Sequence, residues 1–296
     1  MIIAAMATFG TLGLFVRNIG LSSGEIALYR AVLAIILIGA FLLITRQKIS
    51  FFNMGRELVL LFISGAAMGF NWILLFEAYN YTTVSVATLA YYFAPVIVTL
   101  LCPVFFKEKM SAKGWICFIA STVGIVLITG VGDLGGKETH LVGVLLGLSA
   151  ACLYASVVLL NKAIKRTQGI QRTFVQFIAA AAVLVPYVAL TGGFNLHTLS
   201  PLGWGSLLCV GLIHTGMAYC LYFSSLKELS GQEASVLSYI DPLVAVVISV
   251  TALGETVTPL QAVGGLLILG FTLYNELASR RSGGAQDSGE KKEMNE

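Results

Sequence analysis

Apolar residues in this chain come in long unbroken blocks, and polar residues gather in the short gaps between them. Ten blocks recur: 2–16, 26–44, 58–79, 84–106, 114–129, 141–163, 174–191, 202–226, 234–253 and 260–277. A helix needs roughly 20 apolar residues to cross the hydrocarbon of a bilayer. Each block is therefore predicted to be a membrane-spanning helix. The gaps carry turn chemistry, as in Asn18-Ile19-Gly20, the glycine-rich stretch 130–136, Gly192-Gly193 and Ser230-Gly231. None is long enough to hold a further domain. Stretch 130–136 lacks the lysine of a phosphate-binding loop and reads as a linker. Residues 282–296 are small, polar and charged, and are expected to be disordered.

The blocks are not independent. The stretch 83–108, TVSVATLAYYFAPVIVTLLCPVFFKE, returns rewritten as SGQEASVLSYIDPLVAVVISVTALGE when shifted by 147 positions. Ala87 falls on Ala234, Tyr92 on Tyr239, Pro95 on Pro242 and Glu108 on Glu255. Upstream, Gly69 falls on Gly216, Trp72 on Tyr219, Leu74 on Leu221 and Phe76 on Phe223. This is a two-fold internal repeat, with halves at 1–132 and 141–281. Each half holds five predicted helices, an odd number, so the second enters the membrane the other way up. The predicted fold is an all-α polytopic membrane protein of ten transmembrane helices arranged as two inverted five-helix repeats. Inverted repeats are the usual build of secondary transporters, because mirrored halves give two related conformations.

Composition and charge sharpen this. Hydrophobic residues make up 57% of the chain and charged residues 11%, with a mean hydropathy of +0.88. A soluble domain carries about 25% charged residues, so a water-soluble globule is excluded. The basic residues sort by side. With a cytoplasmic N-terminus, the inner connections hold Arg46, Lys48 and Arg56; Lys107, Lys109 and Lys113; Lys162, Lys165, Arg166 and Arg172; Lys227; and Arg280, Arg281, Lys291 and Lys292. The outer connections hold only Arg17 and Lys137. That bias predicts both termini in the cytoplasm. A net charge of +3 is loop charge, and no nucleic-acid partner is expected. Apolar residues begin at Ile2 with no basic stretch ahead, which argues against a secretory signal. The first span is short, and is expected to tilt, to thin the bilayer or to lack a few residues upstream. The five cysteines form no CxxC pair and read as inert thiols.

An Arg in the second helix (LYRAVLA) and, in each half, a small-residue helix with a mid-span Pro that ends in Glu (APVIVTLLCPVFFKE, DPLVAVVISVTALGE) resemble the EamA family of the drug/metabolite transporter superfamily. The resemblance covers nearly the whole chain. It implies a carrier of small metabolites in the plasma (inner) membrane, often an exporter of amino acids or related compounds, with a central cavity between the halves. The implied partners are a small-molecule substrate and the lipid bilayer. No cofactor or metal is implied, and no substrate is singled out.

Ser85, Thr88, Tyr92 and Pro95 share one helix face, as do their mates Gln232, Ser235, Tyr239 and Pro242. Such a face either lines a water-filled pathway or packs against other helices. Trp72 and Phe76, mirrored by Tyr219 and Phe223, form a second candidate wall. Pro95 and Pro242 bend their helices and are candidate hinges, with a static kink as the alternative. Asp241 lies within a span, and its mate is Ala94. An intramembrane acid marks an ion or substrate path, so Asp241 is the proton-coupling candidate; the alternative is a protonated acid bonding a carbonyl freed by Pro242. Arg30 and Glu77 are read either as an ion pair or as separate side chains snorkelling to the interface. His214 and Asn71 are pathway candidates, each with a structural alternative. Gly65 to Gly69 and Gly143 to Gly147 fit GxxxG, which by default means close helix packing.

No HExxH, GxSxG or His/Cys cluster and no nucleotide-binding domain occurs. The chain is thus read as a non-enzyme. The favoured function is a secondary exporter of small metabolites working by alternating access. An uptake carrier or lipid-precursor flippase is the alternative, a polytopic membrane enzyme lacks convergent acids or histidines, and a sensor or scaffold lacks a domain to signal through. Oligomeric state is open.

Overall fold

A computed structural model describes residues 1–47, 57–106, 112–128, 138–167, 169–226 and 237–274, with single positions 55, 229, 234 and 277. The polar tail 282–296 and the turn Ser230-Gly231 lie outside the described residues. Every regular element among the described residues is helical. In chain order they are α1 (Ile2–Gly10), α2 (Leu12–Val16), α3 (Ser23–Ile44), α4 (Glu57–Tyr81), α5 (Val84–Tyr91), α6 (Ala94–Phe106), α7 (Ala112–Ile128), α8 (Glu138–Ala163) and α9 (Gly169–Thr191). Then follow α10 (Pro201–Leu208), a π-helix (Cys209–Met217), α11 (Ala218–Ser225), α12 (Ile240–Thr251) and α13 (Pro259–Tyr274).

Among the described residues six helical stretches are long and apolar enough to span a bilayer: Ser23–Ile44, Glu57–Tyr81, Val84–Leu101, His140–Ala163, Gly169–Thr191 and Pro201–Ser225. Ala112–Ile128, Ile240–Thr251 and Pro259–Tyr274 are shorter apolar helices. Leu43, Ile44, Leu190 and Leu266 are each more than two-thirds exposed. Large exposed apolar patches mark a contact surface in a protein, and here they form the face offered to lipid.

Helix starts follow the sequence. Ser22 caps α3 in a capping box with Glu25, whose backbone N–H it accepts. Thr83 caps α5, and Ser200 caps α10 with Pro201 in its first turn. Thr258 and Gln261 exchange side-chain to backbone bonds at the start of α13. Four blocks expected as continuous helices are interrupted, among them block 234–253, which breaks at Tyr239. Block 2–16 breaks at Thr11, between α1 and α2. Block 84–106 breaks at Tyr92 and Phe93. Block 202–226 carries a nine-residue π-helix, a wide turn that often marks a functional element.

Packing crosses the two stretches 1–132 and 141–281 throughout. α4 packs on α8 and α9, while α3 packs on α9 and on the π-helix; α5 and α6 pack on α8, and α1 packs on α11 and α12. α5 meets α12. Glycines set the closest approaches. A Cβ on Gly65 would meet the Gln176 carbonyl oxygen at 2.3 Å, and one on Gly147 would meet the Ala87 carbonyl at 3.1 Å. The close packing anticipated for both GxxxG stretches is thus found. Gly124 of α7 and Gly264 of α13 face each other: a Cβ on either would lie 2.7 Å or 2.6 Å from the other's carbonyl oxygen.

Gly124→Val and Gly264→Val are therefore expected to destabilise the detergent-solubilised protein by about 1–3 kcal/mol each through overpacking. Gly270→Ala, where nothing lies within 4 Å, should leave the melting temperature unchanged or slightly higher. Thermal melts followed by size-exclusion chromatography measure both.

Candidate functional site

The two proline-bearing helices break at positions 147 residues apart in the sequence. Tyr92 ends the first segment with φ −70° and ψ 3°, and Tyr239 precedes α12 with φ −73° and ψ −6°. Each proline then falls in the first turn of the next helix, Pro95 in α6 and Pro242 in α12. A proline is tolerated there because a first-turn N–H has no intrahelical partner. The prolines thus start new helices rather than kink continuous ones. At the crossing of these breaks, the Tyr92 hydroxyl donates to Asp241 Oδ2 at 2.5 Å. That bond joins stretch 1–132 to stretch 141–281 at the first turn of α12.

Aromatic rings surround the crossing. Tyr91 lies 6.0 Å from Tyr92 and 5.4 Å from Tyr154, centroid to centroid. Phe177 of α9 takes Trp72 on one side at 5.2 Å and Tyr219 on the other at 5.3 Å. Tyr219 also meets Phe9 and Phe223. Trp72 is buried, whereas Tyr92, Tyr219 and Tyr239 are half-buried.

Arg30 enters this cluster from α3. It is 4% exposed. Its Nε donates to Thr215 Oγ1 at 2.7 Å, and its guanidinium carbon sits 4.4 Å from the Trp72 ring centre and 5.6 Å from that of Phe76. It makes no ion pair with Glu77, which corrects that reading. Glu77 instead accepts from Ser23 Oγ at 2.6 Å and Asn80 Nδ2 at 3.3 Å. The separation has a simple cause: Glu77 lies near the end of α4, level with the first turn of α3, whereas Arg30 lies two turns further in.

The other candidates divide. Ser85 and Thr88 are buried, and Tyr92 and Pro95 are half-buried; only the lower part of the polar face borders open space. Asn71 is fully buried and its Nδ2 donates to the Ala150 carbonyl at 2.6 Å, tying α4 to α8. His214 is buried in the π-helix, 2.8 Å from Thr11 Oγ1 and 3.1 Å from the Cys209 carbonyl oxygen. Both are helix-to-helix ties. Ser235 and Gln232 lie outside the described residues.

The two ends of the bundle differ. At one end a cavity of about 740 Å³ is lined by Asn161, Lys162, Lys165, Arg166, Arg172, Cys220 and Phe223. Phe223 links it to the aromatic cluster. At the other end Arg17 Nη1 pairs with Glu255 Oε1 at 2.6 Å. Arg17 Nη2 also donates to the carbonyls of Tyr79 and Thr82. Glu255 accepts from the Val84 N–H at 3.1 Å and from the Ser249 hydroxyl. Gly254, at φ +65°, makes the turn that brings Glu255 back beside α12. This latch joins α2, α4, α5 and α12. Sequence reasoning used Arg17 only for orientation and Glu255 only as a motif end; their placement on the same predicted side was the available signal. Thr215, Phe177, Tyr91 and Tyr154 carried no signal apart from their residue types.

Long apolar helices, lipid-facing leucines and a polar, aromatic interior define a multi-pass membrane protein. Comparison with known proteins narrows that class. The profile of the EamA-like transporter family matches residues 1–130 and 141–275, and the chain belongs to that family. It is similar to the uncharacterized transporter YxxF of Bacillus subtilis, 30% identical over 90% of this chain and 85% of the relative. It is also similar to a probable terminal-alkyne amino-acid exporter of Streptantibioticus cattleyicolor, 26% identical over 74% of each chain. With the threonine/homoserine exporter RhtA of Escherichia coli it shares 30% identity over 49% of this chain and 48% of that one. A solved structure described as "Crystal structure of protein" has the same fold, with a TM-score of 0.64 and 18% identity over 94% of this chain and 96% of the other.

The latch predicts a specific energetic pattern. Glu255 is 7% exposed and Arg17 32%, so removing either charge leaves the other poorly compensated. Arg17→Gln and Glu255→Gln should each destabilise by about 1–3 kcal/mol, and the double variant by clearly less than their sum. A double-mutant cycle on thermal stability reads the coupling; strict additivity would dissolve the latch.

Proposed function

We propose that this chain is a secondary carrier that exports small metabolites, amino acids or related compounds, by alternating access. The observation that carries this reading is the Tyr92–Asp241 bond, formed where the two broken, repeat-related helices cross. It puts an acid at the point on which both halves act.

Packing supports the two-fold repeat, 1–132 and 141–281. α4 on α8 has its counterpart in α11 on α1; α4 on α9 in the π-helix on α3; and α5 and α6 on α8 in α12 on α1. Under this reading the halves are inverted, as in carriers that rock about a central site. Pro95 and Pro242 are the hinges, since each begins a helix that can pivot without losing an interior hydrogen bond. Tyr92, Tyr219, Tyr239 and Trp72 line the substrate pathway. The positive-inside bias sets the basic end in the cytoplasm of a cell whose plasma membrane holds the protein, with both termini inside. The 740 Å³ cavity is then open to the cytoplasm while Arg17–Glu255 closes the outer side. The names of two exporting relatives favour outward movement.

Asp241 is the proton-coupling group. As a carboxylate it accepts from Tyr92; protonated, it loses its charge and becomes a donor. Proton uptake therefore loosens the tie between the halves and favours the opposite opening.

Counterflow in proteoliposomes tests this, with amino acids, purines and small cationic drugs offered to wild type and Asp241→Asn, with and without a pH gradient. At least one solute class should exchange several-fold faster than in empty vesicles, and only wild type should respond to the gradient. A variant that still responds removes Asp241 from the coupling role. Exchange no faster than in empty vesicles across the panel overturns the carrier.

A further inference from the structure

Arg30 is a cation with unmet hydrogen-bonding capacity. A guanidinium offers five N–H donors, and one, Nε–H, is used on Thr215. Among the described residues Nη1 and Nη2 make no hydrogen bond and no acid pairs with them. The acids of the neighbouring helices are engaged elsewhere: Glu25 with Ser22 and Asn195, Glu77 with Ser23 and Asn80, Glu255 with Arg17, and Asp241 with Tyr92. An unpaired buried charge is strongly unfavourable. The faces of Trp72 and Phe76 offset only part of that as cation–π contact, which leaves a deficit that an anion would remove. The ring stacking and the Thr215 bond also fix the guanidinium plane, so its Nη edge is pre-set for a planar two-oxygen partner.

We propose that Arg30 is a specificity-determining residue that binds the carboxylate of the transported solute through Nη1 and Nη2. The word "transported" rests on the carrier reading; the anion site does not. Trp72 and Phe76 hold the guanidinium, and Phe177 and Tyr219 are the rings packed next to Trp72. Solutes whose acid is masked as an amide lose the charge that compensates Arg30, and are rejected.

The test compares free L-amino acids with the same compounds as α-amides. Binding is read by thermal stabilisation and calorimetry on the purified full chain in detergent, and transport by counterflow. Wild type should bind the acids at least tenfold more tightly than the amides. Arg30→Gln should lose most of that preference by weakening the acids and not the amides. Arg30→Lys, which keeps the charge without the planar fork, should fall between. Equal binding of acids and amides by wild type overturns the proposal, as does an Arg30→Gln protein that keeps the preference, or no binding of any acid. A chloride titration that stabilises wild type as well as the acids do means an adventitious ion only, and also overturns it. If Arg30→Gln does not fold, the wild-type acid-to-amide ratio and the chloride titration still decide. Counterflow separates the two readings: exchange that ignores the carboxylate removes Arg30 and keeps the carrier. Carboxylate binding without exchange in any lane removes the carrier and keeps Arg30 as an anion site.

Discussion

Inside a bilayer a polar group has only the protein to bond to, and this structure follows from how that constraint is met where helices stop. A break at membrane depth frees backbone groups that lipid cannot satisfy. The chain places its breaks at Tyr92 and Tyr239, and starts the next helices with Pro95 and Pro242 in their first turns, so that the missing proline N–H falls where none is needed. The two breaks then come together, and Asp241 beside them takes the Tyr92 hydroxyl. The acid at this crossing is thereby hydrogen-bonded, and tyrosines and a tryptophan surround it.

The same constraint explains the asymmetry of the ends. At the latched end, Arg17 meets one carboxylate and two carbonyls, and Glu255 meets one N–H and one hydroxyl in return. At the basic end, Glu57 takes the N–H groups of Lys165 and Arg166 beside an open cavity. Both ends therefore have polar closures of local extent. Exchanging one set of contacts for another of similar worth is how a bundle can hold two conformations that differ by only a few kcal/mol.

The all-helical, membrane-spanning character was legible in the sequence because lipid demands long apolar runs, and the two breaks share the 147-residue offset at which Tyr92 and Pro95 return as Tyr239 and Pro242. Pairings across the bundle were not legible. Arg30 and Glu77 looked like partners by type and depth, yet they lie at different levels, and Thr215 and two ring faces took the guanidinium instead. Arg17 and Glu255 stand at opposite ends of the chain, and nothing local marks them as partners. The contact of Thr11 with the ring of His214 was hidden because it comes from a distant helix. For Asn71 and Ser85 polarity left both a pathway and a packing role open, and their burial beside half-buried Tyr92 is something a sequence does not display.

The π-helix connects these features. In its wide turn Thr215 and His214 reach back to the carbonyls of Val210 and Cys209, five residues earlier, which an α-helical turn does not offer. That leaves the Thr215 oxygen free to accept from Arg30, and the far side of His214 free to meet Thr11. Gly211 and Gly216 bring the same segment against Leu33 and Leu37 of α3, where a Cβ at either glycine would come within 3 Å of the leucine side chain. The register of one helical turn thus sets both the Arg30 contact and the Thr11 contact at the break in the first block. A shift of that turn toward ordinary α-helix would disturb both the Thr215 contact with the buried cation and the His214 contact with the α1–α2 junction.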